Sequence, residues 1–177
     1  HFKAYSGGND QRLSGRLLDA NTGAAISGAL VEFWQACESG RYNHPKDPNT
    51  APLDPNFQYW AQVRTDEQGR FGLLTIKPGA YPADESWTRP PHIHVKVHQA
   101  GYPSLTTQLY FAGEPLNDED QILQKLPSNE RRLVIVEFNG RGVNGEALGD
   151  WTIFIAPFAI VTDPRARGQI QLTPEIE

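Results

Sequence analysis

His92 and His94 stand two residues apart in the run Trp87-Thr88-Arg89-Pro90-Pro91-His92-Ile93-His94-Val95-Lys96-Val97. On a β-strand, side chains i and i+2 share a face, so both imidazoles project to one side while Ile93, Val95 and Val97 turn to a core. Two imidazoles in that relation can grip one metal ion. The same spelling also suits an ordinary polar strand with hydrogen-bonded histidines. Position adds weight to the metal reading, because a double proline stiffens the start of the strand and Arg89 stands three residues ahead of His92. His98 follows on the same face roughly 6 to 7 Å further on, too far to share the ion, and reads as exposed or hydrogen-bonded. His44 reads as a solvated loop histidine and His1 as a chain end.

A metal held by two histidines needs further ligands. The usual completion is a carboxylate, as in the facial triad of non-haem Fe(II) oxygenases. No Asp or Glu stands at a telling offset: Lys96, His98 and Gln99 occupy the stretch where cupins place a Glu, and Asp84 and Glu85 sit upstream in a loop. Tyrosine is the other option. A phenol ionises near pH 10, so it becomes a ligand mainly to a strongly Lewis-acidic ion. Tyr42 and Tyr81 lie in glycine-flanked loops, Gly40-Arg41-Tyr42-Asn43-His44 and Lys77-Pro78-Gly79-Ala80-Tyr81-Pro82. Each alone reads as a turn tyrosine packed on the surface. Together with His92 and His94 they offer two phenolates and two imidazoles, which would neutralise most of the charge of Fe(III).

The elements that must position these groups read as β-structure. Gly (16) and Pro (14) punctuate short runs rich in Val, Ile, Leu, Phe and Tyr. Candidate strands are 13–19, 29–35, 61–65, 70–75, 92–98, 105–111, 132–138 and 151–156, enough for a sandwich. The runs 29–35 and 132–138 are apolar on nearly both faces, which predicts central strands. Turn chemistry is clear at Asn21-Thr22-Gly23, at Asp66-Glu67-Gln68-Gly69 in a hairpin-length gap, and at Lys77-Pro78-Gly79. One helix is expected, capped by Asn117 or Asp118, with a stripe of Ile122, Leu123 and Leu126, and ended by Pro127. The stretch 45–59 has no periodicity and reads as a long loop across one end of the sandwich.

Composition narrows the function. The chain has 177 residues, one ordinary domain's worth. Lys and Arg total 16 against 21 Asp and Glu, a net charge of −5 with no block of like charges. Nucleic acid is therefore not expected as a partner, since phosphate binding requires a clustered basic surface. No membrane partner is expected either, because no apolar run approaches the roughly 18 residues of a span. Cys37 is the single cysteine; it excludes an intrachain disulfide and a Cys-based zinc site, and reads as a small buried hydrophobe. The chain begins at His1 and holds no Met, so a native start removed by processing or trimming is expected. A lone cysteine suits the cytoplasm, with secretion left open.

Several segments in order carry a family resemblance. They are Ala29-Leu30-Val31-Glu32-Phe33-Trp34-Gln35-Ala36, the Tyr42 loop, Ala51-Pro52-Leu53-Asp54-Pro55-Asn56-Phe57, Thr65-Asp66-Glu67-Gln68-Gly69-Arg70-Phe71, and Thr75-Ile76 running into the Tyr81 loop. Arg89-Pro90-Pro91-His92-Ile93-His94 and Thr107-Gln108-Leu109-Tyr110-Phe111 complete the set, which spans roughly 14–156. In these segments the chain resembles the intradiol ring-cleavage dioxygenases, most of all the iron-bearing chains of the protocatechuate enzymes. The resemblance implies a single catalytic domain over 1–177, core about 13–157. Its fold would be all-β, a transthyretin-like antiparallel β-sandwich with long active-site loops and one short helix.

The resemblance also implies a ligand set and a reaction. One non-haem Fe(III) per chain would be held by Tyr42, Tyr81, His92 and His94, with Arg89 and Gln108 beside the substrate. A catechol-type diol, protocatechuate favoured, would be cleaved by O2 between its hydroxylated carbons to a cis,cis-muconate. Tyr81 would leave the metal and help carry away a proton, Arg89 would stabilise developing negative charge, and Gln108 would hydrogen-bond substrate or an ordered water. Ala83 stands where the family often has Trp, and Pro91 where it usually has Ala, which bears on pocket shape. A counterpart of the N-terminal helical region of the catechol and hydroxyquinol enzymes is not expected, so their mode of dimerisation is not implied; a homo-oligomer or pairing with a related chain is the partner expectation. Two other classes stay open: a cupin-like Fe(II) oxygenase, and a non-catalytic transthyretin-like carrier or vestigial partner chain. Visible colour separates the first, since tyrosinate on Fe(III) absorbs visible light; iron content and oxygen uptake separate the second.

Overall fold

Strict alternation builds the longest strand: Gln11, Leu13, Gly15 and Leu17 turn inward while Arg12, Ser14 and Arg16 face solvent. The computed structural model describes residues 9–158 and 172–176, and His1 lies outside them. The strands in chain order are β1 (Asp10–Asp19), β2 (Leu30–Trp34), β3 (Trp60–Arg64), β4 (Arg70–Ile76), β5 (Tyr81–Pro82), β6 (Thr88–Arg89), β7 (His92–His98), β8 (Leu105–Phe111), β9 (Ile135–Val136), β10 (Gly140–Arg141) and β11 (Ala147–Ile155). Two sheets stack, one in the order β10-β11-β1-β4 and the other β3-β2-β7-β8-β9, while β5 and β6 form a separate ribbon.

Leu13, Leu17, Leu73 and Ile153 from the first sheet meet Val31, Ile93, Val95 and Leu109 from the second in one buried core. Phe33 and Phe71 touch across it, ring centres 5.9 Å apart. Each such side chain, fully buried, stabilises the fold by about 1.5–3 kcal/mol. The expected sandwich is present, and β2 is central, between β3 and β7. Two neighbouring pairs, β1–β11 and β8–β9, run parallel, so the sheets are mixed.

The structure departs from expectation at three places. The run 132–138 pairs only at Ile135 and Val136, and β9 is an edge strand, not a central one. Its first half is spent on a turn: the amides of Leu133 and Val134 donate to Glu130 and Arg131 carbonyls, continuing the one-turn helix α1 (Ser128–Arg131). The helix expected from Asn117 or Asp118 to Pro127 is instead two 3-10 turns, Pro115–Asp118 and Leu123–Lys125, and Pro127 precedes α1. The amides of Ile122 and Leu123 bond to the Asp120 carboxylate, which turns the chain there. The turn Asp66–Gly69 is not a hairpin, because it carries the chain from β3 in one sheet to β4 in the other. Between Trp34 and Trp60 no helix or strand intervenes, in line with the long loop expected over 45–59.

Candidate metal centre

β7 turns Ile93, Val95 and Val97 into the core, so its histidines stand on the outer face of the five-stranded sheet. Register puts Trp34, His94 and Gln108 in one row across β2, β7 and β8, and His92 beside Tyr110 in the next. His94 lies flat on Trp34, ring centres 4.9 Å apart and planes at 4°. His92 Nδ1 donates to the Pro90 carbonyl at 2.7 Å. A carbonyl can only accept, so that nitrogen carries the hydrogen and the lone pair sits on Nε2. Burial, then His94 and Arg89, holds the His92 pKa well below its usual value. Burial and then Arg89 lowers that of His94 to about 4. Both rings are neutral at pH 7, the form in which imidazole binds metals.

The two tyrosines arrive on loops locked to each other. The Cys37 carbonyl accepts hydrogen bonds from the amides of both Gly40, at 3.0 Å, and Gly79, at 2.9 Å. Gly40 has φ +77, and a Cβ on Gly79 would stand 2.6 Å from the Gly40 nitrogen. Only glycine lets the loops approach this closely. Tyr42 is pinned further by its amide, which donates to Asp47 Oδ2 at 2.6 Å. Tyr81 lies in β5 opposite Arg89 in β6.

Four donor atoms converge as a result. Tyr42 Oη lies 3.2 Å from His94 Nε2 and 3.4 Å from His92 Nε2. The two Nε2 atoms are 3.3 Å apart, and Tyr81 Oη is 3.5 Å from His92 Nε2. Atoms bound at about 2.1 Å to one ion with near-tetrahedral angles lie about 3.4 Å apart, so the spacing fits a shared metal. Burial, then the neighbouring Tyr81, pushes the Tyr42 phenol well above its usual pKa. Only a strongly Lewis-acidic ion would hold it as phenolate. Among the described residues no group of three or more His, Cys, Asp or Glu could hold a metal, so a two-histidine, one-carboxylate site has no support here.

Arg89 is 4% exposed and each of its three side-chain nitrogens has a neighbour within hydrogen-bond range. Nε lies 3.0 Å from Asp120 Oδ2, Nη2 donates to Gln108 Oε1 at 2.8 Å and to the Tyr110 hydroxyl at 2.9 Å, and Nη1 is 3.2 Å from His92 Nε2. Burial opposes its charge, but the Asp120 hydrogen bond, with the neighbouring Tyr110, Asp120 and Tyr81 oxygens, outweighs that and raises its pKa. Gln108, 1% exposed, thus spends its carbonyl on Arg89 and Tyr110. Sequence reasoning missed Asp120 and Tyr110. Tyr110 was findable, two residues after Gln108 on the same face of β8; nothing in the sequence marks Asp120.

The remaining candidates fall outside the cluster. His98 pairs with Glu32 at 2.8 Å, exposed His44 accepts the Lys46 amide, and Cys37 is buried. A cleft of about 880 Å³ opens onto both phenols, lined by Trp34, Tyr42, Lys46, Trp60, Tyr81 and Ala83 among others. A cleft of about 930 Å³ between Pro103–Leu105 and residues 172–175 holds no His or Tyr and borders none of the four donors.

The family described as Dioxygenase matches residues 3–152. The chain is 44% identical over 142 residues to a protocatechuate 3,4-dioxygenase beta chain of Burkholderia cepacia, covering 77% of this chain and 60% of that one. It therefore spans less than two thirds of that relative's length. It is 29% identical to a chlorocatechol 1,2-dioxygenase of Rhodococcus opacus, over 67% of this chain and 50% of the relative. Among solved structures, the dioxygenase domain of a dioxygenase carbohydrate-binding fusion from Streptomyces sp. SirexAA-E superposes with TM-score 0.67 at 28% identity, covering 88% and 84% of the two chains. Catechol 1,2-dioxygenase from Pseudomonas arvilla C-1 gives TM-score 0.68 at 25% identity, covering 98% and 59%. Matched across its sheets and its tyrosine and histidine segments alike, this chain belongs to the intradiol ring-cleavage dioxygenase family.

Proposed function

We propose that this chain is a catalytic domain holding one non-haem Fe(III) through Tyr42, Tyr81, His92 and His94, and that it uses O2 to open a catechol-type ring between its hydroxylated carbons, yielding a cis,cis-muconate. The main support is the mutual approach of Tyr42 Oη and the two imidazole Nε2 atoms to 3.2–3.4 Å, with Tyr81 Oη 3.5 Å from His92 Nε2. When bound, ferric iron supplies the Lewis acidity that favours the deprotonated diol and its reaction with O2.

The protein's own groups do the rest. The Pro90 carbonyl fixes the His92 tautomer, and Trp34 holds the plane of the His94 ring. Tyr81, a phenolate while it holds the ion, would take up one proton from the incoming diol at Oη, and the other proton would leave to solvent through the open cleft. Arg89 Nη1 faces the donor cluster and stabilises negative charge building on the ring. Gln108 acts through Arg89, since its carbonyl oxygen is spent there. Protocatechuate is the first substrate to try, and a related second chain the first partner, because the 44% identical relative is named as the beta chain of a protocatechuate enzyme. The lone Cys37 suits the cytoplasm. Among the described residues no helix is long and apolar enough to cross a membrane.

The test is iron content and visible absorption of the purified protein, then oxygen uptake against a panel of ortho-diphenols with product absorbance recorded. One iron per chain, a coloured protein and a muconate-type product are expected. A colourless, iron-free protein after reconstitution, or ring opening beside the hydroxyls, overturns the proposal.

A further inference from the structure

Asp120 belongs to none of the sequence motifs, yet its side chain is fully buried, at 0% exposure. Every neighbour of its carboxylate offers an N–H or O–H. Arg89 Nε lies at 3.0 Å and Nη2 at 3.4 Å, the Tyr110 hydroxyl at 3.3 Å, and the amides of Ile122 and Leu123 at 3.1 and 2.7 Å. Each of these groups donates to the carboxylate, so both of its oxygens are engaged and the group is held from several sides. The carboxylate is itself held in place, because the two amides belong to its own turn and Leu123 is buried with Tyr110, Val134 and Ile176.

The contact is two-pointed. Asp120 grips the Nε–Nη2 edge of the guanidinium, and Gln108 and Tyr110 take up Nη2 from the other side. A planar fork held along one edge cannot turn about its long axis. Nη1 is therefore aimed at the donor cluster, 3.2 Å from His92 Nε2. The pair is also neutral, and a buried guanidinium without its partner would be strongly unfavourable.

We infer that Asp120 is a positioning residue for the ring-opening reaction, setting the direction of Arg89 Nη1 and balancing the Arg89 charge. This rests on the iron-dependent reading of the site. Its role differs from that of a ligand or a proton carrier, since it touches neither the donor atoms nor the cleft and works only through Arg89.

The test compares D120N, D120E, R89A and the R89A/D120N double variant in the iron-loaded protein. D120N should keep wild-type iron content and KM within about threefold while kcat falls about 100-fold. The double variant should turn over no more slowly than R89A, because the two residues act as one unit. In the metal-free protein, the Arg89 Nε proton should exchange with water about tenfold faster in D120N than in wild type, read by 15N NMR. Wild-type kcat in D120N, a loss that adds in full to that of R89A, or unchanged exchange overturns the inference. If D120N does not fold, D120E decides: it keeps the charge but shifts the carboxylate by one methylene, so the kcat loss should persist, and wild-type turnover in D120E sinks the idea. A wild-type protein that opens no diol removes the reading of the site itself, whereas an active wild type with an unaffected D120N removes only the role of Asp120.

Discussion

Gly79 packs against Gly40 so closely that a side-chain carbon on Gly79 would stand 2.6 Å from the Gly40 nitrogen and 3.0 Å from the Glu38 carbonyl carbon. Each glycine stands two residues before a tyrosine of the donor cluster, Tyr42 after Gly40 and Tyr81 after Gly79. Backbone contact between the two loops thus fixes where the two tyrosines enter the site, and their rings meet edge to face, centres 5.4 Å apart.

Gly79→Ala should therefore act on metal binding before it acts on the fold. The clash is with backbone, which cannot yield as a flexible side chain would, so the loops must part. We expect a stability loss of about 2 kcal/mol and a drop in Fe(III) affinity of about tenfold or more. Competition with a chelator reads the affinity and urea unfolding the stability. Wild-type affinity in a folded Gly79→Ala protein would contradict the loop-contact account.

Acid should destabilise the metal-free protein through its buried imidazoles. His94 is held neutral in the folded chain down to about 4, against 6.5 when free. Between those values the unfolded state binds the additional proton, so stability is unaffected above pH 6.5 and falls as pH drops toward 4. For His94 alone that window corresponds to about 3 kcal/mol, and His92 shifts in the same direction. Carboxylates contribute below about pH 5, so the informative quantity is the difference between wild type and His94→Gln. Urea midpoints across this range should fall more steeply for wild type, and parallel slopes would remove His94 from the account.

What the sequence revealed, and what it hid, divides by range. The span of β7, the shared face of His92 and His94, and the glycine-flanked tyrosines follow from period-two alternation and turn chemistry, both local. The helix expected near Ile122 failed because its apolar spacing was real, with Leu123 buried, but the Asp120 carboxylate was claimed by Arg89, 31 residues away. No periodicity records such a pair. Likewise, Leu133 and Val134 are apolar enough for a strand, yet hydrogen bonds carried over from α1 turn them. The parallel pairing of β1 with β11 joins the two ends of the described core and has no local signature.

His98→Ala provides the control for the histidine assignments. His98 shares the outer face of β7 with His92 and His94, but its Nε2 is 2.8 Å from Glu32 and Ser104 Oγ is 3.3 Å from its Nδ1. The Glu32 pair is partly exposed, at 37% and 24%, and such pairs contribute at most about 1 kcal/mol. Iron content and colour should be unchanged and the unfolding midpoint shifted slightly. Loss of iron in this variant would mean that the ion sits further along β7 than Tyr42 and Tyr81 can reach.

Tyr42→Phe should have the largest effect on the metal. Its oxygen lies within 3.4 Å of both imidazole nitrogens, whereas Tyr81 Oη stands 3.5 Å from that of His92. Removing the oxygen leaves the ring packing against Tyr81 and His94 intact, so the fold should persist while Fe(III) affinity drops by more than about 100-fold. The visible band should weaken with it, because one of two phenolate donors is gone. Since a phenol releases its proton on binding a metal, iron loading near pH 7 should also free about one proton fewer per chain than in wild type, measurable in weakly buffered solution. A Tyr42→Phe protein with full iron, an unchanged spectrum and the same proton release would show that the ion is bound without this phenol.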